Sequence, residues 1–527
     1  MLHPQCHTTL PSQPLSSVCT RPYDIIIVGA GVAGSAFAYA LTDIAKVKAR
    51  DRAPEILLID RDLSQPDRIV GELLQPGGCL CLRRLGLRDC LDQIDAVEVN
   101  GYAVYGDQQH SLKRKSTCLT LPYPPESTPM DWIDGALYGD QSRSTQPRRQ
   151  QGRSFHHGRF VQRLRAKAMS RSTVTLLQAT VTDLLRCEKT DRVIGVSFKD
   201  SEDRTASVYA PLTIVADGCF SKFRRSIAPP GFRQPLVRSH FVGLMLDTPD
   251  PVESIPYPGH GHVILPTDDQ TSLLEGELPV GPVLVYQIGK AETRMLVDVP
   301  GPKVPSIGNG NLRSYLEKQV GPMLPPSLLE SFYQALDSTD PSRRLRVMPN
   351  SYLPPHRQDS QEGVILLGDS MNMRHPLTGG GMTVALNDVE ILSELLGSIE
   401  SLEDWCSVEG CLDEWYWSRK STSICINVLA QALYNLFGAQ EDSNLEILKQ
   451  GCLRYFELGG DRVTGPISLL SALIPSPILL IYHFFSVAFF SIYILVLKEK
   501  SWFNPLKVLD VFWSACVTIL PVLWSEI

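Results

Sequence analysis

The sequence predicts an α/β fold: a Rossmann-type dinucleotide-binding domain, an inserted antiparallel-sheet substrate domain and C-terminal membrane-associated helices. Three observations predict it. A β-branched run, Tyr23-Asp-Ile-Ile-Ile-Val-Gly29, stops at a glycine-rich turn that opens a helix. Two later strand-like runs end in Asp217-Gly218 and Gly368-Asp369, and two long apolar stretches lie near the C-terminus.

The 527 residues, 43% hydrophobic and 20% charged, have the composition of folded globular proteins and not of disordered, collagen-like or coiled-coil chains. At roughly 100 to 200 residues per domain, they leave room for several domains. Fifty Lys+Arg against 57 Asp+Glu give a net charge of -7, so no global attraction to nucleic acid exists and no nucleic-acid partner is expected. The 13 cysteines lack zinc-site pairing and the density of a disulfide scaffold, and read as reduced thiols on the cytosolic side. Residues 1–21 carry no basic segment followed by an apolar one and read as a flexible tail, not a secretory signal.

The first part of the nucleotide-binding domain is assigned to 22–95. In Gly29-Ala-Gly31-Val-Ala-Gly34, Gly29 permits the tight turn, Gly31 lets the backbone approach a pyrophosphate and Gly34 lets helix pack on strand. Good helix formers follow to Leu41, and a second apolar run, Glu55–Asp60, ends on a carboxylate able to accept from a ribose hydroxyl. The charged segment Lys46–Glu55 accounts for the long interval between helix and strand.

Residues 96–150 are assigned to the substrate domain and include the low-complexity loop Asp140–Gln151. The nucleotide-binding domain resumes over 151–230, where the strand Leu212-Thr-Ile-Val-Ala ends in Asp217. The substrate-binding domain occupies 231–355, with alternating segments Val283–Ile288 and Arg294–Val299. The third nucleotide-binding part, 356–400, holds the strand ending in Gly368-Asp369 and a helical pattern over Thr383–Leu396.

The remainder, 401–527, reads as a helical membrane-associated region, helical already over Trp405–Phe437. Ile478–Leu497 contains no Lys, Arg, Asp or Glu, and its 20 residues span about 30 Å as a helix, enough for a bilayer core. Val508–Trp524 holds only Asp510 as a charge. A full hairpin would place the lysines of Lys498–Lys507 on the lumenal side, against the positive-inside tendency. Monotopic insertion is therefore preferred to a true span.

The three nucleotide-binding motifs come in the order that resembles FAD-dependent monooxygenases of the para-hydroxybenzoate hydroxylase type. Longer blocks narrow the likeness: Asp67-Arg-Ile-Val-Gly-Glu-Leu-Leu-Gln-Pro-Gly-Gly78, Ser154-Phe-His-His-Gly-Arg-Phe160, Val215-Ala-Asp-Gly-Cys-Phe-Ser-Lys-Phe-Arg224 and Asn372-Met-Arg-His-Pro-Leu-Thr-Gly-Gly-Gly-Met-Thr383. From about residue 22 onward the chain resembles the squalene epoxidase family.

That resemblance implies FAD as cofactor. By matching motif, Val32, Ala33, Asp60, Arg61, Arg68, Leu73, Arg159, Asp369 and Met382 would contact it, with Asp217, Gly380 and Gly381 in the same motifs and Val181 toward the adenine side. Asp369 can bond the ribityl chain, and the helix opening after Gly381 aims backbone N–H groups that favour a reduced flavin's negative charge. Tyr123 would line the substrate pocket; its glutamine partner, sought in Gly106-Asp-Gln-Gln109, is left open by a one-residue shift.

The implied reaction uses O2 and a flavin C4a-hydroperoxide to convert squalene to (S)-2,3-epoxysqualene, an early step of sterol (ergosterol-type) or triterpenoid synthesis. The protein's task would be to hold one double bond and exclude water. No catalytic triad or metal is required, and the adjacent His156 and His157 point in different directions on either helix or strand. Either NADPH reduces the flavin at a transient site or a separate reductase does; the resemblance implies NADPH–cytochrome P450 reductase. It also implies the endoplasmic reticulum membrane, with the catalytic domain facing the cytosol. Two alternatives stay open: an FAD-dependent polyprenyl reductase, separated by oxygen consumption, and a non-enzymatic prenyl-protein carrier of the GDP dissociation inhibitor type, separated by flavin absorbance.

Overall fold

Five short apolar runs, far apart in sequence, lie side by side in one parallel sheet. Its order is Val364–Leu366, Leu212–Val215, Ile25–Val28, Ile56–Asp60, Val174–Gln178. Ile25 pairs with both Leu212 and Ile56, and Thr213 with Val364. The runs lack polar alternation because both faces are covered, as parallel sheets require. Helices Val32–Leu41 and Gly381–Gly397 pack against each other over this sheet. The three motif turns leave the carboxyl ends of adjacent strands, where open α/β sheets bind ligands.

The structure, a computed structural model, describes residues 18–19, 21–43, 49–106, 118–126, 149–229, 231–266, 278–438, 442–499 and 505–526. The expectations for the tail before residue 18, for Asp107–Gln109, for most of Asp140–Gln151 and for the loop 500–504 lie outside these residues, as do 44–48 of the long interval before Asp60.

A seven-stranded sheet faces the parallel one. Its order is Arg346–Tyr352, Leu236–Asp247, Glu292–Pro300, Val283–Gln287, Gly261–Ile264, Gly101–Tyr105, Cys118–Pro122. It is antiparallel as expected except between Gly261–Ile264 and Gly101–Tyr105, which run parallel. Those strands are separated by the whole second nucleotide-binding segment, long enough for the crossover a parallel pair needs. One face presents Val263, Leu284 and Leu296 toward the nucleotide-binding part; the other packs under Leu312, Leu328 and Phe332. A small sheet of Leu73–Leu74, Gly152–Ser154 and Val97–Val99 lies at the junction.

The helical stretch read as Trp405–Phe437 divides into Trp405–Ser418 and Lys420–Phe437. The break falls at Arg419, whose buried guanidinium turns inward to Asp388 at 2.8 and 2.9 Å. The two apolar stretches form helices Pro477–Glu499 and Pro505–Glu526. Each begins with proline, whose missing N–H costs nothing in the first turn. The last helix buries Val511, Ala515, Thr518 and Ile519 and exposes Leu506, Leu509, Trp513, Val517, Leu520 and Trp524 at helical spacing. Both of its ends are tied to the protein: Asn444 Nδ2 donates to Asp510 at 2.8 Å, and the Tyr352 hydroxyl meets Ser525 Oγ at 2.7 Å.

Candidate active site

The glycine-rich turn is shaped by contacts that only glycine tolerates. Gly29 has φ +105°, and a Cβ there would meet the Ala216 carbonyl at 2.4 Å; a Cβ on Gly34 would meet the Gly29 carbonyl at 2.0 Å. Gly31 is different. Nothing lies within 4 Å of where its Cβ would stand, and it caps helix Val32–Leu41 without a side-chain hydrogen bond. The free N–H groups of that first turn thus face an open cradle, the requirement for a pyrophosphate.

The cradle opens into a continuous cleft. Its polar side is lined by Gly31, Val32, Ala33, Arg68, Gly218, Gly368, Asp369, Gly381 and Met382. Its apolar side is lined by Leu73, Val263, Leu284, Leu296, Met348 and Leu377, with Tyr102 and Tyr286. Helix Gly381–Gly397 begins at Gly380 with no side-chain cap, so a second set of N–H groups faces the same space. Gly380 itself packs against Ile426 and lies behind the wall. Arg68, whose Nη2 is 3.7 Å from Cys219 Sγ, sits over the polar side.

Other expected residues stand off the wall. Asp60 accepts from the Ala30 N–H at 2.7 Å, fixing the turn from the neighbouring strand. Arg61 is exposed, and Val181 has its side chain in the core. Arg159 lies beside Asp95 at 3.9 Å. Asp217 is beneath the cleft; burial raises its carboxyl above the usual range, and its Oδ1 has no hydrogen-bond partner. His156 and His157 diverge: His156 meets Glu292 at 2.7 Å, while His157 lines the cleft and bonds the Gly71 carbonyl at 2.9 Å. Burial, with Arg68 nearby, lowers the His157 pKa to about 4.

Tyr123 is placed one layer behind the position the resemblance implies. It is fully buried, and its hydroxyl donates to Gln75 Oε1 at 2.7 Å. Gln75 Nε2 donates in turn to the Tyr102 hydroxyl and to the Thr378 carbonyl, the latter at 2.6 Å. The glutamine partner of Tyr123 is thus Gln75, from the block that also supplies Arg68 and Leu73. Tyr102, not Tyr123, reaches the cleft.

Several charged residues that hold the site were not singled out in the sequence. Arg165 is 2% exposed and donates to the carbonyls of Ala30, Asp62 and Ser64 at 2.8 to 3.1 Å, tying the glycine-rich turn to the loop after Asp60. Arg224 joins the other two motifs by donating to the carbonyls of Gly218, Asp369 and Ser370. Glu72, on the cleft wall and 1% exposed, pairs with Arg294 of the facing sheet at 2.8 and 3.0 Å. The one available signal was position, since Arg165, Arg224 and Glu72 all lie in or beside the recognised blocks.

A Ser239–Asp298–His375 cluster is present but is not arranged for nucleophilic chemistry. Ser239 is fully buried and donates to Asp298 at 2.5 Å, while His375 Nδ1 accepts the Leu377 N–H and caps the turn Pro376–Thr378.

The residues present fit a flavin dinucleotide: an open glycine cradle, two uncapped helix starts and a carboxylate turn share one cleft. Comparison with known proteins decides the family. The squalene epoxidase family model matches residues 209–509. The chain belongs to the squalene epoxidase family. It is 42% identical over 509 residues to squalene monooxygenase SE1 of Panax ginseng, covering 95% of this chain and 82% of that protein. Identity is also 42% over 518 residues to the squalene monooxygenase of Mus musculus, covering 97% and 79%. Among solved structures, a probable FAD-dependent monooxygenase from Pseudomonas aeruginosa superposes with a TM-score of 0.53 at 18% identity, covering 85% of this chain and 99% of that one. That likeness carries the fold alone. With the family come its enzyme class and cofactor: this is an FAD-dependent monooxygenase.

Proposed function

We propose that this chain epoxidises squalene to (S)-2,3-epoxysqualene. The observation that carries the reading is the single cleft that joins a flavin cradle to an apolar wall, in a member of the squalene epoxidase family. A hydrocarbon substrate offers no ionic anchor, so aliphatic and aromatic contact must position it. Leu73, Val263, Leu284, Leu296, Met348 and Leu377 supply that contact. FAD, when bound, supplies the oxygen-activating chemistry that no side chain can provide. Gly31, Val32 and Ala33 would hold its pyrophosphate, Asp369 its ribityl chain, and Arg68, Gly381 and Met382 its ring side. Asp60, which fixes the turn, would face the ribose by resemblance, as Arg61, Arg159 and Val181 would contact FAD by resemblance alone. The buried side chains around the wall exclude water from the reacting double bond.

A second apolar cavity, lined by Leu433, Leu436, Leu469, Phe484 and Val487, lies among the C-terminal helices. Both ends of helix Pro505–Glu526 are fastened to the protein, which favours a helix lying along the membrane face over a span. Its exposed stripe, with Trp513 and Trp524, suits monotopic insertion, and the exposed Tyr482, Phe489 and Tyr493 of helix Pro477–Glu499 extend the apolar surface. The proposed location is the endoplasmic reticulum membrane with the catalytic part in the cytosol, and the proposed electron donor is NADPH–cytochrome P450 reductase. Oxygen uptake matched to squalene loss tests the reaction. Squalene hydrogenated without oxygen uptake would replace it with a polyprenyl reductase.

A further inference from the structure

Arg374 is a guanidinium on the cleft wall, 8% exposed, to which the sequence motifs assign no role. Its hydrogen bonds all go to neutral amide oxygens: the Gly381 carbonyl at 3.2 Å, and the Asn372 carbonyl and side-chain oxygen, both at 2.8 Å. Its Nε has no partner. Neighbouring Arg419 is met by both oxygens of Asp388, whereas no such carboxylate contacts Arg374 among the described residues. Asp369, Asp388 and Glu526 act on it only from beyond contact distance, so no direct ion pair neutralises its charge toward whatever occupies the cleft.

Asn372 Oδ1 is a shared acceptor for Arg374 at 2.8 Å, Arg419 at 3.2 Å and Asn427 Nδ2 at 3.1 Å. The same Asn427 amide donates to Glu526 Oε1 at 3.0 Å, and the Lys420 ammonium donates to the Glu526 carbonyl. Glu526 is fully buried, although it stands in the last turn of the helix whose other face exposes Leu506 to Trp524. The outermost apolar helix therefore ends in the hydrogen-bond shell of a cleft residue.

We infer that Arg374 supplies positive charge to the reduced, anionic form of bound FAD, and that Glu526 is a positioning residue that holds Arg374 in place through Asn427 and Asn372. This rests on FAD occupying the cleft. Reduced flavin carries the negative charge that oxidised flavin lacks, so a cation fixed beside it favours reduction. A guanidinium keeps that geometry only while its supporting side chains are themselves fixed.

The test uses full-length protein in detergent, with FAD binding read by flavin fluorescence and the midpoint potential of bound FAD read against reference dyes. R374Q lowers the midpoint by about 30 mV, a tenfold shift for a two-electron couple, and R374K restores at least half of it. E526A lowers the midpoint by about 15 mV, a threefold shift, in the wild-type background and adds nothing in the R374Q background, as coupled positions do. N427A breaks the same link with Glu526 in place, gives the same pattern and serves if E526A does not fold. A wild-type midpoint in R374Q overturns the inference. So do midpoint shifts that add in the double variant, or an E526A variant that changes only thermal stability. Wild-type protein that binds no FAD would instead sink the assignment of the cleft, before any variant is made.

Discussion

Gly31 and Gly34, three residues apart, are held for opposite reasons. A methyl on Gly34 would sit 2.0 Å from a backbone oxygen, while one on Gly31 would enter empty space. Gly34→Ala should therefore cost about 3 kcal/mol of stability, at the upper end of overpacking. Gly31→Ala should leave stability within about 0.5 kcal/mol and weaken FAD binding about tenfold. Chemical unfolding and FAD titration of the two variants check both statements. The tight turn and the close packing at Gly34 were legible from spacing alone, because the geometry of the turn is local. Arg165 and Glu72 were not legible as buried: their partners arrive from strands and loops that only the folded chain brings near. Burial lowers the pKa of both His157 and His262 to about 4, against about 6.5 in an unfolded chain. Between those values the unfolded chain takes up protons that the folded one refuses, so stability is full above pH 6.5 and falls as pH drops toward 4. Each histidine contributes about 3 kcal/mol across that window. Unfolding midpoints measured from pH 7 to 4 should fall, and less steeply in His157→Gln; equal slopes would contradict the assignment.

At the scale of elements, the parallel strands were readable because each is a short apolar run buried on both faces, and the two C-terminal helices because each is a long, nearly charge-free run, although most of it is exposed. The single parallel pair in the seven-stranded sheet was not, since strand direction there is fixed by the path of a distant segment. Nor was the break at Arg419, whose side chain pairs with Asp388 from another helix. Tyr123, expected to line the substrate pocket, lies one layer behind the cleft, because a block match carries no depth. The exposed stripe of the last helix is predicted to contact lipid. Trp513→Lys with Trp524→Lys should leave FAD content and the unfolding midpoint unchanged, while the fraction floating with phospholipid vesicles drops severalfold, as a buried charge in an apolar layer costs a few kcal/mol. Unchanged flotation would mean that this face is not the membrane face.

At the scale of the whole molecule, the Glu72–Arg294 pair joins the block that carries Arg68 to the sheet that carries the apolar wall. Arg294→Leu leaves a carboxylate buried without its partner and should cost about 3 to 5 kcal/mol; adding Glu72→Gln should recover part of it. A denaturation series on the two variants decides this. The pair keeps flavin cradle and hydrocarbon wall in one register, and on that register the proposed epoxidation depends. The most direct measurement is product analysis under 18O2, with purified protein, FAD, squalene, NADPH and the reductase, and a parallel reaction lacking the reductase. The account predicts oxidosqualene carrying one labelled oxygen, formed only when the reductase is present. NADPH oxidation with flavin bound and no epoxide formed would contradict it.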